Sequence, residues 1–162
     1  MDTQPPAKFP DDAAMALAGL LRGQRIAHLA TLREAAPMAS MTLFLPDPDF
    51  TAFHVHVSRL AWHTQDMAQD PRVALSVAEA DDGRDDPFTL MRVSIRGTAQ
   101  RLEGEQPELR RQWLVCFPEQ AINFELADFS FWRIVPRDAR FVMGFGRIHN
   151  LSAAALAACS KS

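Results

Sequence analysis

The 162-residue sequence has few of the features that mark membrane, secreted or nucleic-acid-binding proteins. Its two cysteines, Cys116 and Cys159, fit neither a disulfide framework nor a metal-binding spacing. No apolar run approaches ~18 residues, so no transmembrane helix and no membrane partner are expected. The N-terminus, MDTQPPAKFPDD, is polar and proline-rich, unlike a signal peptide. The net charge is −3 and no basic run stands out, which argues against a nucleic-acid partner. We therefore expect a cytoplasmic protein.

The composition is that of an ordinary globular protein, with 48% hydrophobic and 23% charged residues. The length suits one domain with a core, so residues 1–162 are predicted to form a single domain with a loose arm at 1–10. Three early strands follow one another with only turns between them, which favours a small antiparallel barrel over a doubly wound α/β fold.

Apolar periodicity places the individual elements. Strands are predicted at 26–32, 37–45, 50–57, 72–77, 88–102, 129–135 and 139–144, the last two forming a hairpin around Pro136. Gly97 predicts a bulge or bend within the long strand 88–102. Helices are predicted from Asp11 or Asp12 to Gly23, from Leu60 to the Asp70-Pro71 step, and over 105–117 and 118–126. The tail from Ser152 is expected to be a short helix or disordered.

The stretch VHVSRLAWHTQDMAQDPRVAL, residues 55–75, organises the chain. It reads as a strand, a turn, a helix and a second strand, with Ser58 at the expected N-cap position. Free N–H groups and the helix dipole make such a turn an anion site. Arg59 adds a fixed charge, and Ser58, His63 and Thr64 add hydrogen-bond donors. The alternative is an ordinary capped helix with solvated polar residues.

This stretch resembles the phosphate-binding segment of the pyridoxamine 5'-phosphate oxidase-like flavoproteins, the FMN-binding split barrels. The pattern Ser-x-Leu-Ala-x-His-Thr is similar to the haem-utilisation branch of that superfamily. His63 falls where the oxidases themselves use a lysine on the FMN phosphate. The resemblance implies FMN contacts from seven positions of the segment and of the long strand that follows: Val57, Ser58, Arg59, Leu60, His63, Thr64 and Arg92. Arg92 falls where the oxidases carry a flavin-contacting glutamine; a surface strand residue is the alternative.

Two more segments bear on the flavin in the family. The hairpin HLATLREAAPMASMTLFL corresponds to the one beside the isoalloxazine ring, which implies contacts from Ala39, Ser40 and Met41. The oxidases place an arginine near Ser40 and a lysine near Leu45, and this sequence has neither, which argues against oxidation of pyridoxamine phosphate.

The second segment, ARFVMGFGRIHNLS, resembles a Gly-Phe-Gly-Arg-Ala-His-type loop of the haem-utilisation branch. Its glycines permit a close backbone approach to a ligand, and Arg147 can pair with a phosphate or carboxylate. Gly146 and Arg147 are therefore candidate cofactor contacts; an ordinary tight turn with an exposed arginine is the alternative.

The histidines do not indicate a metal site. His54 and His56 share a strand face in the predicted pattern, but no acidic residue or cysteine accompanies them there. The roles of these two, and of His28 and His149, are not readable from the sequence.

The resemblance as a whole implies a mainly β split barrel with flanking helices, antiparallel, binding FMN in a homodimer with the flavin at the subunit interface. An FMN-dependent oxidoreductase is the expected function, with no side chain that identifies the substrate. A haem-binding or haem-degrading barrel is the alternative, although the C-terminal domain of the larger haem-utilisation proteins is expected to be missing here. A flavin store or sensor is a third class.

Overall fold

The structure is a computed structural model, which describes residues 9–144 and 146–162. Most of the predicted loose arm, residues 1–10, lies outside these ranges. The strands are β1 Ile26–Arg33, β2 Ala36–Leu43, β3 Leu45–Pro46, β4 Phe53–Ser58, β5 Arg72–Ala78, β6 Arg92–Arg101, β7 Phe129–Val142 and β8 Ile148–Ser152. The α-helices are α1 Asp11–Gly23, α2 Trp62–Gln69, α3 Pro107–Cys116 and α4 Ala153–Ala158. Short 3₁₀ helices cover Pro87–Thr89, Pro118–Glu125 and Cys159–Lys161.

The strands form one antiparallel sheet in the order β2-β1-β5-β6-β7-β4-β3, with β8 added against β7. The two ends of this order are β2 and β3, which are consecutive in the chain and separated only by the buried Phe44. A sheet whose first and last strands are joined in this way must curl on itself. The predicted antiparallel split barrel with flanking helices is confirmed.

The main core fills the inside of this curled sheet. A row of buried, directly opposed residues crosses it from strand to strand: Leu29, Leu75, Ile95 and Ala139. The alternation places every second residue of each strand inside. Helix α1 adds Leu17 and Leu21 to the same core. Each fully buried aliphatic side chain of this kind contributes about 1.5–3 kcal/mol.

A smaller apolar cluster lies on the other side of β4 and β7. Trp113 and Phe117 of α3 pack there against Phe131 of β7. His56 is directly opposite Phe131 in the sheet register and therefore shares its face. Strands β4 and β7 are thus covered on both faces, by the main core and by α3 with the following 3₁₀ helix.

The predicted hairpin around Pro136 is wrong, because β7 is one continuous strand of 14 residues. Pro136 has no N–H to donate, but it lies opposite Gly97, where the β6–β7 register shifts. The predicted bulge at Gly97 is confirmed, and it accommodates the proline inside a paired strand.

Strand β8 was not predicted. The tail forms helix α4, whose first turn is capped by Ser152 accepting from the Ala155 N–H at 3.2 Å.

No helix in the described ranges is long and apolar enough to span a bilayer.

Gly97 gives a test of the bulge. A Cβ at this position would lie 2.4 Å from the Val135 carbonyl oxygen, so Gly97→Ala should lower the free energy of unfolding by about 1–3 kcal/mol. Gly19 lies within α1, and a Cβ added there would meet no atom within 4 Å. Gly19→Ala should therefore raise stability by about 0.5–1 kcal/mol. Urea denaturation of the two variants should show opposite signs; a stabilised Gly97→Ala protein would contradict the bulge geometry.

Candidate functional site

The turn between β4 and α2 begins with Ser58, which is not the helix N-cap that the sequence suggested. Ser58 is still paired in the sheet, and its hydroxyl donates to the Asp128 carboxylate while accepting from the Leu60 N–H at 3.1 Å. The helix begins later, at Trp62, and its N-cap position is occupied by Ala61, which offers no side-chain acceptor. The predicted end of the helix before Pro71 is confirmed.

The start of α2 is therefore open. Among residues 9–144 and 146–162, the backbone N–H groups of Trp62 and His63 have no hydrogen-bond acceptor, whereas the Thr64 and Gln65 N–H groups bond to the Ala61 carbonyl. Unpaired N–H groups at a helix start carry partial positive charge. The geometry suits an anionic group at this end of the helix.

Asp66 fixes the orientation of α2. Its buried carboxylate accepts from the Thr31 hydroxyl at 2.8 Å and from the Arg33 guanidinium at 2.9 Å. The Arg33 guanidinium also lies 4.1 Å from the centroid of the Trp62 ring. Sequence reasoning missed this cluster. The sequence did contain a signal for it. Asp66 is an acidic residue next to the apolar Met67 on the predicted helix, which suggests that its carboxylate lies near the buried face.

His63 lies three residues before Asp66, so the two share one face of α2. The side chain is half-buried, and burial lowers its pKa, while the nearby Asp66 carboxylate opposes that change. His63 is therefore neutral near pH 7 and can donate or accept a hydrogen bond there without a fixed charge.

Thr64 faces the other way. It lines a cavity of about 270 Å³ together with Arg59 and Arg101. Its hydroxyl is buried and has no partner among the described residues. The predicted group of donors is thus divided by the helix, with His63 on the side of β1 and Thr64 on the side of β7. Leu60, at 70% exposure, and the exposed Arg59 lie in the turn between them.

The predicted ring-contacting residues of β2 are also divided between two faces. Ser40 is opposite Leu29 in the register, so it shares the face of Leu29 and Thr31, against which α2 packs. Ala39 and Met41 lie on the outer face and are exposed, Met41 by 62%. This open face is available to a ring or to a second chain.

Val57 is 5% exposed, with its side chain in the main core. Only its backbone can therefore contact a ligand.

Arg92, Gly146 and Arg147 lie at the far end of the sheet from this turn. Arg92 pairs with Val142, whereas Ser58 pairs with Phe129 at the opposite end of β7. The whole length of β7 separates Phe129 from Val142, a distance of ~40 Å along a strand at ~3.3 Å per residue. Arg92 and Arg147 are therefore remote from the turn that precedes α2 in their own chain.

Both arginines at that end have partners in their own chain. The Arg92 guanidinium donates to the Phe88 and Leu90 carbonyls at 3.1 and 3.0 Å. The Arg147 guanidinium donates to the Asp12 carboxylate at 2.7 Å, in an exposed ion pair. Phe145, the central residue of the glycine loop, lies outside the described residues.

His56 is the most perturbed histidine. Its ring is stacked on Phe124, with centroids 4.2 Å apart, and is surrounded by Trp113, Phe129 and Phe131. Burial, with a smaller contribution from the Arg110 charge, lowers the pKa of His56 to about 4.

The other histidines of the described residues have separate surroundings. His54 contacts the Asp47 carboxylate at 2.8 Å, and the His149 ring packs edge-on against Phe9. In the described part of the chain, no three potential ligands are grouped around a possible metal position.

Comparison with known proteins identifies the fold family. The family model described as pyridoxamine 5'-phosphate oxidase matches residues 14–143. The chloroplastic non-canonical haem oxygenase HOZ of Arabidopsis thaliana is 34% identical over 112 residues, which are 68% of this chain and 33% of that protein. The chain therefore spans about a third of the length of this curated relative.

Two solved structures extend the comparison. A haem-binding protein from Mycobacterium smegmatis aligns with a TM-score of 0.79 and 29% identity, over 90% of this chain and 60% of that one. A FAD-binding protein from Mesorhizobium loti aligns with a TM-score of 0.60 and 21% identity, over 78% of this chain and 89% of that one. The latter similarity shows the fold alone.

The lowered pKa of His56 predicts a loss of stability in acid. The unfolded chain takes up a proton near pH 6.5 and the folded chain only near pH 4, so the free energy of unfolding should fall as the pH falls through that window. The substitution His56→Phe keeps an aromatic ring in the cluster and removes the group that titrates. Urea denaturation at pH 7.5 and 5.0 should show a smaller pH difference for His56→Phe than for the wild type. His28→Gln, an exposed change on β1, should keep the wild-type difference; an equal reduction in both variants would contradict the assignment.

Proposed function

The chain belongs to the pyridoxamine 5'-phosphate oxidase family, and on this premise we propose that it is a flavoprotein that binds FMN without a covalent bond. The open start of α2 carries the proposal. A phosphate fits there because the Trp62 and His63 N–H groups lack acceptors within the described residues and point out of a helix start. The flavin would supply the redox chemistry of an oxidoreductase.

The residues around the helix start fit the phosphate group. Arg59 is exposed in the turn and has no ion pair among the described residues, so its charge is free for an anion. The His63 ring can donate one hydrogen bond. Arg33 cannot serve in the same way, because its charge is offset by Asp66. Arg59 and His63 are therefore the side chains proposed to hold the phosphate. Arg59 lies in the turn and also lines the cavity of Thr64 on the other side of the helix start.

The proposed position of the isoalloxazine ring is the open outer face of β2. Ala39 and Met41 offer a small and a flexible side chain there, and neither is covered within the chain. Arg92 lies on the same outer face of the sheet as Met41, two residues from Ser94. Ser94 ends a row of opposed residues that runs across β2, β1, β5 and β6: Met41, His28, Ser76 and Ser94. Arg147 is paired with Asp12 of its own chain. Because nothing in the described part of the chain covers this face, we propose a homodimer, in which a second copy covers the ring and can bring its own Arg147 to it.

Haem is the second candidate ligand. It is favoured by two comparisons above 25% identity, with the haem oxygenase of Arabidopsis and the haem-binding protein of Mycobacterium smegmatis. The absorption spectrum of the purified protein separates the candidates, because flavin absorbs in the blue and haem gives a Soret band in the near ultraviolet.

The phosphate assignment predicts selective losses of FMN affinity. Arg59→Ala and His63→Ala should each weaken FMN binding about tenfold or more, because a charge-assisted hydrogen bond contributes roughly 1.5–3 kcal/mol. Arg111→Ala is the matched control, since Arg111 is exposed on α3 and paired with Glu108. Titration of apo-protein with FMN, followed by flavin fluorescence, measures all three affinities. Unchanged binding in both Arg59→Ala and His63→Ala would refute the assignment.

The homodimer predicts a mass of twice 18.1 kDa for the FMN-loaded protein in light scattering. Arg147→Ala adds a second measurement. If a partner supplies Arg147 to the flavin, this variant should weaken FMN binding or shift the flavin reduction potential, although Arg147 is remote from the phosphate in its own chain. A flavin-loaded particle of 18.1 kDa would contradict the proposed assembly.

A further inference from the structure

A second cavity lies away from the start of α2, on the outer side of β4 and β7. Its volume of about 330 Å³ falls in the range of small-molecule sites. The end of β6, the start of α3 and the 3₁₀ helix Pro118–Glu125 enclose it. The lining residues that matter for its chemistry are His56, Arg101, Arg110, Phe124, Phe129 and Phe131.

The inner wall of this cavity is aromatic. His56 and Phe124 are stacked at 4.2 Å and 13°, and Phe131 and Phe129 lie at 4.5 and 5.4 Å from the His56 ring. A cluster that served only to anchor α3 would need no imidazole at its centre, because His56 Nδ1 is buried there without a hydrogen-bond partner among the described residues. Such a wall suits a planar ring, which can stack or pack edge-on.

The rim of the cavity carries two guanidinium groups. Arg110 lies 4.8 Å from the centroid of Phe124, and Arg101 ends β6 beside it. Within the described ranges, neither side chain takes part in a salt bridge. The planar fork of an arginine matches a carboxylate. Glu103 and Glu105 line the same rim, so the four charges sum to zero. The two guanidinium groups therefore suit a single carboxylate, and the rim lacks the net positive charge that would favour a phosphate dianion.

We infer that this cavity binds a small aromatic monocarboxylate, with its ring against His56, Phe129 and Phe131 and its carboxylate on Arg101 and Arg110. The site uses none of the side chains proposed to hold the phosphate, although Arg101 also lines the neighbouring cavity beside Arg59 and Thr64. It lies on the outer face of β4, whereas His63 and the start of α2 lie at the end of that strand.

Calorimetric titration of the purified protein with indole-3-acetate tests the inference. Indole-3-acetate should bind and shift the His56 ring resonances in NMR spectra. Indole, which lacks the carboxylate, should bind at least tenfold more weakly. Arg101→Gln and Arg110→Gln should each reduce the affinity for indole-3-acetate about tenfold, since each removes a charge-assisted contact.

Arg111→Gln is the matched control, because Arg111 neighbours Arg110 on α3 and is likewise exposed, but it does not line the cavity and is paired with Glu108. This variant should bind indole-3-acetate as the wild type does. The inference is overturned if millimolar indole-3-acetate leaves the His56 resonances unmoved, if indole binds equally well, or if Arg111→Gln weakens binding as much as Arg110→Gln.

Discussion

The buried Asp66 carboxylate holds the candidate site in its present form. Its bonds to Thr31 and Arg33 fix α2 against β1 and set the rotation of the helix. Because successive helical residues point about 100° apart, that one rotation sends His63 toward the β1–β2 hairpin and Thr64 toward β7. A buried carboxylate left without its partners costs about 3–5 kcal/mol, so the helix has little freedom to turn otherwise.

The ion pair between Asp66 and Arg33 also determines which charges remain unpaired near the start of α2. Arg33 neutralises Asp66, and His63 is neutral near pH 7 because burial lowers its pKa. Arg59, in the turn before α2, is then a fixed positive charge without an ion pair among the described residues. The family resemblance places a histidine on the phosphate where the oxidases have lysine, and the structure explains why that histidine alone supplies no charge. In the proposed site, the attraction for an anion would come from the backbone N–H groups and Arg59 together.

Periodicity predicted most of the fold, because strands that bury one face must alternate and the bulge needed a glycine. Two predictions were wrong for the same reason. The local sequence predicts an N-cap at Ser58 and a turn at Pro136, but strand pairing with distant residues places both within strands. Asp128 takes the Ser58 hydroxyl, and Gly97 makes room for Pro136. Asp66 escaped detection because its partners lie more than thirty residues away in the chain. The placement of Arg147 depends on contacts that local patterns do not encode.

The pairing of β4 with β7 has a consequence for how the chain folds. Ser58 and Phe129 are neighbours in the sheet although β5, β6 and α3 all lie between them in the chain. During synthesis, one edge of β4 therefore stays unpaired until β7 has been made. Such non-local closure slows folding and leaves strand edges open to association. The turn that precedes α2 cannot take its final shape before β7 pairs with β4, so a ligand of that turn would bind only late in folding.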